Sequence, residues 1–305
     1  MGGLFGVVTE DTCVRTLFYG TDYHSHLGTE HAGMAVLGQK GFYNTIHEIS
    51  QAQFKSRFVD DYRKMEGHSG IGVIDDEAPQ PLIFRSKFGV FAVVATGLIT
   101  NKKKLVEELL NEGVSFSEMA GGGVNNAELV AALINRGDNI VEGIASMRGI
   151  IEGSVCALVL TREGIYAARD KVGRFPLALG KSIKSDVKSF VVATEASSFE
   201  NLGYELLRFL GPGEIVLLSP QGIRQLKPEG HDLKICSFLW IYTGSPSSVY
   251  EGIGVEDTRE RCGRYLARRD NVEADFVTGV PDSGIGHAIG YAMESGIPYR
   301  RPLVK

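Results

Sequence analysis

The sequence predicts an α+β fold in which two stacked sheets lie between layers of helices, with a smaller α/β unit beginning after residue 230. Three observations predict it. Short apolar, β-rich runs recur at residues 4–8, 33–37, 88–95, 155–160 and 165–168, most of them of ordinary strand length. Helical patterns separate them, at 54–65, at 102–110 and from Asn126 onward, and such a mixture packs as sheet on sheet covered by helices. Near Pro228-Glu229-Gly230 the character changes, and an arginine-rich amphipathic segment follows.

Each element has a local reason. Residues 4–8 are an apolar run and read as a buried strand. Asp11 or Thr12 is placed to cap a helix reaching Tyr19 that buries Val14, Leu17 and Phe18. Asn125-Asn126 followed by Glu128 marks a helix start, with Leu129, Val130, Leu133 and Ile134 as its apolar stripe. The turn Arg162-Glu163-Gly164 joins two strands. Residues 255–268 form a helix whose Arg259, Arg261, Arg264 and Arg268, followed by Arg269, read as a solvated basic face. Residues 275–280 read as a strand leading through Val280-Pro281-Asp282-Ser283-Gly284 into a helix ending near Glu294. A strand, a glycine-containing loop and a helix N-terminus make an anion site. Pro281, Asp282, Ser283 and Gly284 are therefore the candidate phosphate-binding residues.

The 305 residues are 43% hydrophobic and 23% charged, an ordinary globular composition of about two domains. A net charge of -5 gives no electrostatic reason to expect nucleic acid or an anionic membrane as partner. No apolar run reaches the roughly 18 residues of a membrane span, and no signal peptide is visible. Met1-Gly2 opens like a myristoylation site, but Gly6 stands where Ser or Thr is wanted. Cys13, Cys156, Cys236 and Cys262 are widely spaced without a CxxC, as in a reducing cytoplasm. The histidines His24, His26 and His31 lack a second cluster at metal-ligand spacing and read as loop residues.

Several stretches carry a resemblance. Gly2-Gly3-Leu4-Phe5-Gly6-Val7 resembles the opening of class II glutamine amidotransferases, where the residue after the removed Met is a nucleophilic Cys. His26-Leu27-Gly28 followed by Ala32-Gly33-Met34-Ala35 is similar to that family's His-Arg-Gly and Ala-Gly-aliphatic-Ala. Ala168-Arg169-Asp170-Lys171-Val172-Gly173-Arg174-Phe175-Pro176-Leu177 resembles Arg-Asp-x-x-Gly-x-Arg-Pro-Leu, with Arg174-Phe175 in place of the aliphatic-Arg order. Ala193-Thr194-Glu195-Ala196 and Gly211-Pro212-Gly213-Glu214 continue it. The segment from Val280 to Gly284, with Gly290-Tyr291-Ala292 and Ser295-Gly296-Ile297-Pro298-Tyr299, is similar to the pyrophosphate loop of type I phosphoribosyltransferases. Together the halves resemble the glutamine phosphoribosylpyrophosphate amidotransferase family of purine biosynthesis. The resemblance implies an αββα, N-terminal nucleophile hydrolase-like domain over 1–230 and the start of a phosphoribosyltransferase domain over 231–305. It also implies a homo-oligomer, phosphoribosyl pyrophosphate as substrate and magnesium as its companion.

The departures from the family fall at the chemistry. The nucleophile's position holds Gly2, which has no reactive atom. The arginine for the glutamine carboxylate aligns with Asp75, a reversal worth roughly 8 kcal/mol at 4 Å and an effective dielectric near 20, before screening. The Asn-Gly oxyanion hole aligns with Thr96-Gly97, losing one donor, typically about 10²- to 10³-fold in rate. The Asp that reaches the substrate's amino group aligns with Asn126. The expected protein is therefore an amidophosphoribosyltransferase homologue with a degenerate glutaminase, using ammonia or another amine if active. The alternative is a non-catalytic regulatory or ligand-binding paralogue, in which Asp75 and the three histidines line a pocket for a cationic ligand. Ser245-Pro246-Ser247-Ser248, where the family has Arg-Pro-Asp-Ser, favours that alternative. Cys13 as a substitute nucleophile would require removal of the strand at 4–8. Cys236 falls where some members place the first ligand of a [4Fe-4S] cluster, and one phosphate loop cannot close a parallel sheet, so the family's sheet is expected to continue beyond Lys305.

Overall fold

The computed structural model describes residues 2–117, 119–120, 123–184 and 186–304. Met1, which opens the N-terminal motif, and Lys305 lie outside the described residues. The chain divides into two compact units between Ile235 and Cys236, where the sequence places the change at 230.

In the first unit β1 (Gly3–Thr9) and α1 (Val14–Asp22) precede β2 (His31–Gly38), β3 (Gly41–Glu48) and α2 (Phe54–Tyr62). Next come β4 (Ser69–Asp75), β5 (Leu82–Ser86), β6 (Gly89–Ile99) and α3 (Lys102–Asn111). The short strands β7 (Met119–Ala120) and β8 (Gly123–Val124) pair ahead of α4 (Asn126–Asn135) and α5 (Ile140–Ile150). Then follow β9 (Gly153–Thr161), β10 (Gly164–Ala168), β11 (Ala178–Ser182) and β12 (Ser189–Ala193). The unit closes with α6 (Phe199–Leu202), β13 (Tyr204–Phe209), β14 (Ile215–Ser219) and β15 (Gly222–Lys227).

The strands form one sheet in the order β13-β11-β12-β1-β4-β2-β3 and a second in the order β15-β14-β10-β9-β6-β5. Alternation along each strand sets the layers. In β1, Leu4 and Val8 join Ile71, Val73, Val94, Leu158, Leu160 and Val216 in a buried cluster fed by both sheets. Phe5 and Val7 point the other way, into a cluster with Leu17, Phe18, Phe54 and Phe58 of α1 and α2. On the outer face of the second sheet, Val93, Ala95 and Val159 pack with Leu129, Val130, Leu133, Ile144 and Met147 of α4 and α5. The result is four layers, helix–sheet–sheet–helix, as the resemblance implies.

The start of α1 differs from the expectation, and that of α4 agrees with it. Neither Asp11 nor Thr12 caps α1: its N-cap is Cys13, without a side-chain bond. The Asp11 carboxylate instead accepts from the Thr12 amide at 2.7 Å. α4, by contrast, starts where Asn125 caps it, its Oδ1 accepting from the Ala127 amide at 2.8 Å.

The second unit contains a π-helical turn at Leu239–Thr243, the strands β16 (Val249–Tyr250) and β17 (Ile253–Gly254), and the helices α7 (Val255–Ala267) and α8 (Gly284–Ser295). Residues 275–280 are not a strand: only Val277 bridges, to Tyr299. A strand needs a ladder on at least one side, and one bridge does not make one. Arg259 is also not solvated. It is buried, donating to the carbonyls of Trp240 (2.8 Å), Tyr242 (3.0 Å) and Gly244 (2.8 Å). No helix among the described residues is long and apolar enough to cross a membrane.

Candidate functional site

β1 lies between β12 and β4 in the middle of its sheet, which sets Gly2 beside the last residue of β4 and against β6 of the facing sheet. Gly2 is buried. An ideal β-carbon on it would stand 2.6 Å from the Ile74 carbonyl oxygen, 2.7 Å from Thr96 Oγ1 and 3.1 Å from Asp75 Oδ1. Three of the residues singled out from sequence therefore meet at one point: Gly2, Asp75 and Thr96.

Asp75 is buried. Its Oδ2 accepts from Gln80 Nε2 at 2.8 Å and from the Ala78 amide at 3.2 Å. Burial pushes its carboxyl up to about 6, and Glu77 adds to this, while the Gln80 and Ala78 hydrogen bonds and the N-terminal amine oppose it. Gln80 also clamps β6, donating to the Ala95 carbonyl and accepting from the Ala95 amide, both at 2.8 Å. One carboxamide thus ties the β4–β5 connection to the strand that carries Thr96 and Gly97.

Asn126 joins the site through that same connection. Its Nδ2 donates to Glu77 Oε2 at 2.6 Å, while its Oδ1 is buried without a partner among the described residues. Asn125 Nδ2 donates to the Pro79 carbonyl at 2.7 Å, so the N-terminus of α4 pins the connection a second time. Gly97 follows Thr96 on β6 and pairs with Val155 of β9. Sequence reasoning missed Gln80 and Glu77. Their partners, Ala95 and Asn126, are remote in the chain, and neither residue belongs to a pattern that marks it.

The histidines divide. His24 is buried and packs so tightly on β1 that a β-carbon on Gly3 would lie 2.5 Å from its own. Its Nδ1 donates to the Gly20 carbonyl at 2.8 Å, and its Nε2 accepts from the Glu195 amide at 3.2 Å. Burial holds its imidazole down near 4, against the pull of Glu195 and the Gly20 bond. His26 Nε2 lies 3.0 Å from the buried Glu195 carboxylate. His31 stands opposite Asp75 in the β2–β4 register. Cys13 is buried with its thiol pushed up to about 12, the opposite of an activated nucleophile.

In the second unit, Pro281-Asp282-Ser283-Gly284 forms the turn entering α8, with a cis peptide between Pro281 and Asp282. The Gly284 amide donates to the Val280 carbonyl at 3.0 Å and the Ile285 amide to the Asp282 carbonyl at 3.2 Å. Ser283 is the N-cap and makes no side-chain cap bond. Ser245 and Ser247 hold each other, Oγ to Oγ, at 3.1 Å. Cys236 is a free, half-buried thiol, and no three His, Cys, Asp or Glu side chains converge on a metal position among the described residues. An iron–sulfur cluster needs several thiolates, so these residues do not make such a site, and no protein cage for magnesium is present among them.

Comparison with known proteins agrees with this architecture. Residues 68–201, which hold Asp75, Thr96 and Asn126, match the model of a glutamine amidotransferase domain. The chain is 32% identical over 316 residues to the amidophosphoribosyltransferase of Bacillus subtilis, covering 99% of this chain and 64% of that protein. It is 31% identical to the Archaeoglobus fulgidus amidophosphoribosyltransferase, covering 100% of this chain and 67% of that protein. The structure of the B. subtilis glutamine phosphoribosylpyrophosphate amidotransferase complexed with ADP and GMP superposes with a TM-score of 0.89 at 30% identity, over 99% of this chain and 66% of that one. A solved structure described as the allosteric regulatory enzyme of purine biosynthesis gives the same score. Domain and fold together define a class II glutamine amidotransferase architecture. The chain belongs to the amidophosphoribosyltransferase family, and it spans about two thirds of the length of these relatives.

Proposed function

We propose that this is an amidophosphoribosyltransferase-like protein of purine nucleotide biosynthesis whose glutaminase half is silent, and that its acceptor is ammonia or another amine. Residues up to Ile235 serve as the glutamine amidotransferase-like unit, and those from Cys236 begin a phosphoribosyltransferase-like one. Pro281 to Gly284 hold the pyrophosphate of phosphoribosyl pyrophosphate at the start of α8. The protein works in the cytoplasm as a homo-oligomer.

One observation carries the silent half. The space that a nucleophilic side chain on residue 2 would occupy is taken by the Ile74 carbonyl, Thr96 and Asp75. Glycine offers no nucleophile, and the surroundings leave no room for one. Transition-state stabilisation is weakened as well, because Thr96 stands where the family's oxyanion-hole Asn would donate.

The test is phosphoribosylamine formation from phosphoribosyl pyrophosphate, with glutamine or an ammonium salt as nitrogen source. Product with ammonium alone is expected. Product from glutamine sinks the silent-glutaminase reading, and product from neither sinks the transferase reading. In that last case a non-catalytic regulatory or ligand-binding paralogue takes over, which the uncharged pair Ser245 and Ser247 favours.

A further inference from the structure

We infer that the first unit carries a second small-molecule site, in the cavity between α1 and the β11–β12 and α6–β13 connections, and that its ligand is a sugar monophosphate. The cavity measures about 780 Å³, within the roughly 300–1,000 Å³ usual for such sites. Thr9 borders it, at the far end of β1 from Gly2, roughly 20 Å away at about 3.3 Å per residue. The cavity is therefore separate from the site at residue 2, and its ligand goes beyond the function proposed above.

The floor of the cavity is made of hydroxyls whose protons are already committed. Ser189 and Tyr204 line it and are buried, 4% and 5% exposed. Ser189 Oγ donates to the Val8 carbonyl at 3.3 Å, so in its 2.6 Å contact with Tyr204 the phenol is the donor. Tyr204 is also bonded to Thr16, which lines the cavity too. With the phenol proton engaged, Thr16 is the donor in that bond. These oxygens have only lone pairs left to offer, and a ligand that matches them brings O–H donors.

The rim carries both signs of charge. Arg15 and Lys184 line it and pair with no carboxylate among the described residues, although Lys181, on the strand leading to Lys184, is held by Glu205 at 3.0 Å. Arg15 offers a planar fork of donors and Lys184 a point charge, a combination suited to a phosphate monoester. Asp11 and Glu200 border the same cavity. A bare anion gains from the cations and loses to these carboxylates. A sugar phosphate uses both, with its phosphate on the cations and its hydroxyls on carboxylates that can only accept. Tyr19 and Tyr23, 37% and 39% exposed, add flat apolar surface for the C–H face of the sugar.

The experiment is calorimetric titration of the unaltered protein with ribose 5-phosphate, fructose 6-phosphate and glucose 6-phosphate, and with inorganic phosphate and glucose as their parts. At least one sugar phosphate is expected to bind about tenfold or more tightly than either part, because only it engages both ends of the cavity. Arg15→Met combined with Lys184→Met, both at exposed positions, should weaken that binding by about tenfold or more. Glu200→Gln should weaken it without weakening the binding of inorganic phosphate. Hydrogen exchange then locates the ligand. Slowing within residues 9–23 and 189–204 is expected, and slowing confined to residues 281–296 puts the ligand at the turn into α8 and overturns the site. Binding of no sugar phosphate also overturns it, as does binding no tighter than that of phosphate alone, or binding unchanged in the double variant. None of these readouts depends on glutamine hydrolysis or on phosphoribosylamine formation, so their failure leaves the proposed function standing.

Discussion

Gln80 donates to Asp75 at 2.8 Å inside the protein, while the same carboxamide exchanges two hydrogen bonds with Ala95. This link fixes a buried negative charge where the family's resemblance implies a positive one.

Removing that charge should stabilise the protein near neutral pH. The Asp75 carboxyl is raised from 3.8 to about 6, so below 3.8 the folded and unfolded states are protonated alike. As pH rises through 6 the folded state must ionise a group it holds protonated, and stability is lost. Asp75→Asn is expected to raise stability above about pH 7 by up to ~3 kcal/mol, from a shift of about two units. The gain should vanish toward pH 4. Urea unfolding of both proteins across that range checks it, and a variant less stable at every pH contradicts it.

His24 predicts the opposite slope. Its imidazole is lowered from 6.5 to about 4, so the neutral buried form contributes fully above 6.5. That contribution is lost as pH falls through 4, because the unfolded chain takes up the proton first. The stability of His24→Gln should therefore fall less steeply than that of the unaltered protein between about pH 6.5 and 4. Parallel curves would show that burial of this ring is not what makes the fold acid-sensitive.

Restoring the family's residue at position 2 should not restore chemistry. Gly2→Cys brings its β-carbon to 2.6 Å from a backbone oxygen, which cannot rotate away. We expect no ammonia release from glutamine, and a loss of about 1–3 kcal/mol for either Gly2→Cys or Gly2→Ala. Glutaminase activity in Gly2→Cys would refute the crowding argument directly.

The thiols should divide two and two. Cys13 and Cys156 are buried and their thiols are pushed up by that burial, whereas Cys236 and Cys262 are half-buried. A thiol reagent without denaturant should label only Cys236 and Cys262, the other two reacting after unfolding. Peptide mapping after labelling distinguishes them.

The sheets were legible in the sequence because their rule is local. Leu4, Phe5, Val7 and Val8 are apolar and alternate between two cores, and Asn125 announces α4 by a cap within two residues of its acceptor's donor. Arg259 was not legible. It shares a helical charge pattern with Arg261, Arg264 and Arg268, and only the carbonyls of residues 240, 242 and 244 single it out for burial. The candidate site was half legible. Asp75, Thr96 and Asn126 were placed by resemblance, but Gln80 and Glu77 depend on partners from distant strands and helices.

The central position of β1 also sets an order of events during synthesis. Its neighbours, β4 and β12, end at Asp75 and Ala193, so the first strand made cannot complete both ladders until some 180 residues more have emerged (Thr9 pairs with Ser189). At about 5–20 residues per second that is a wait of roughly ten to forty seconds. Throughout it, an apolar strand meant for the middle of the sheet remains without one of its neighbours, within reach of chaperones and of other nascent chains.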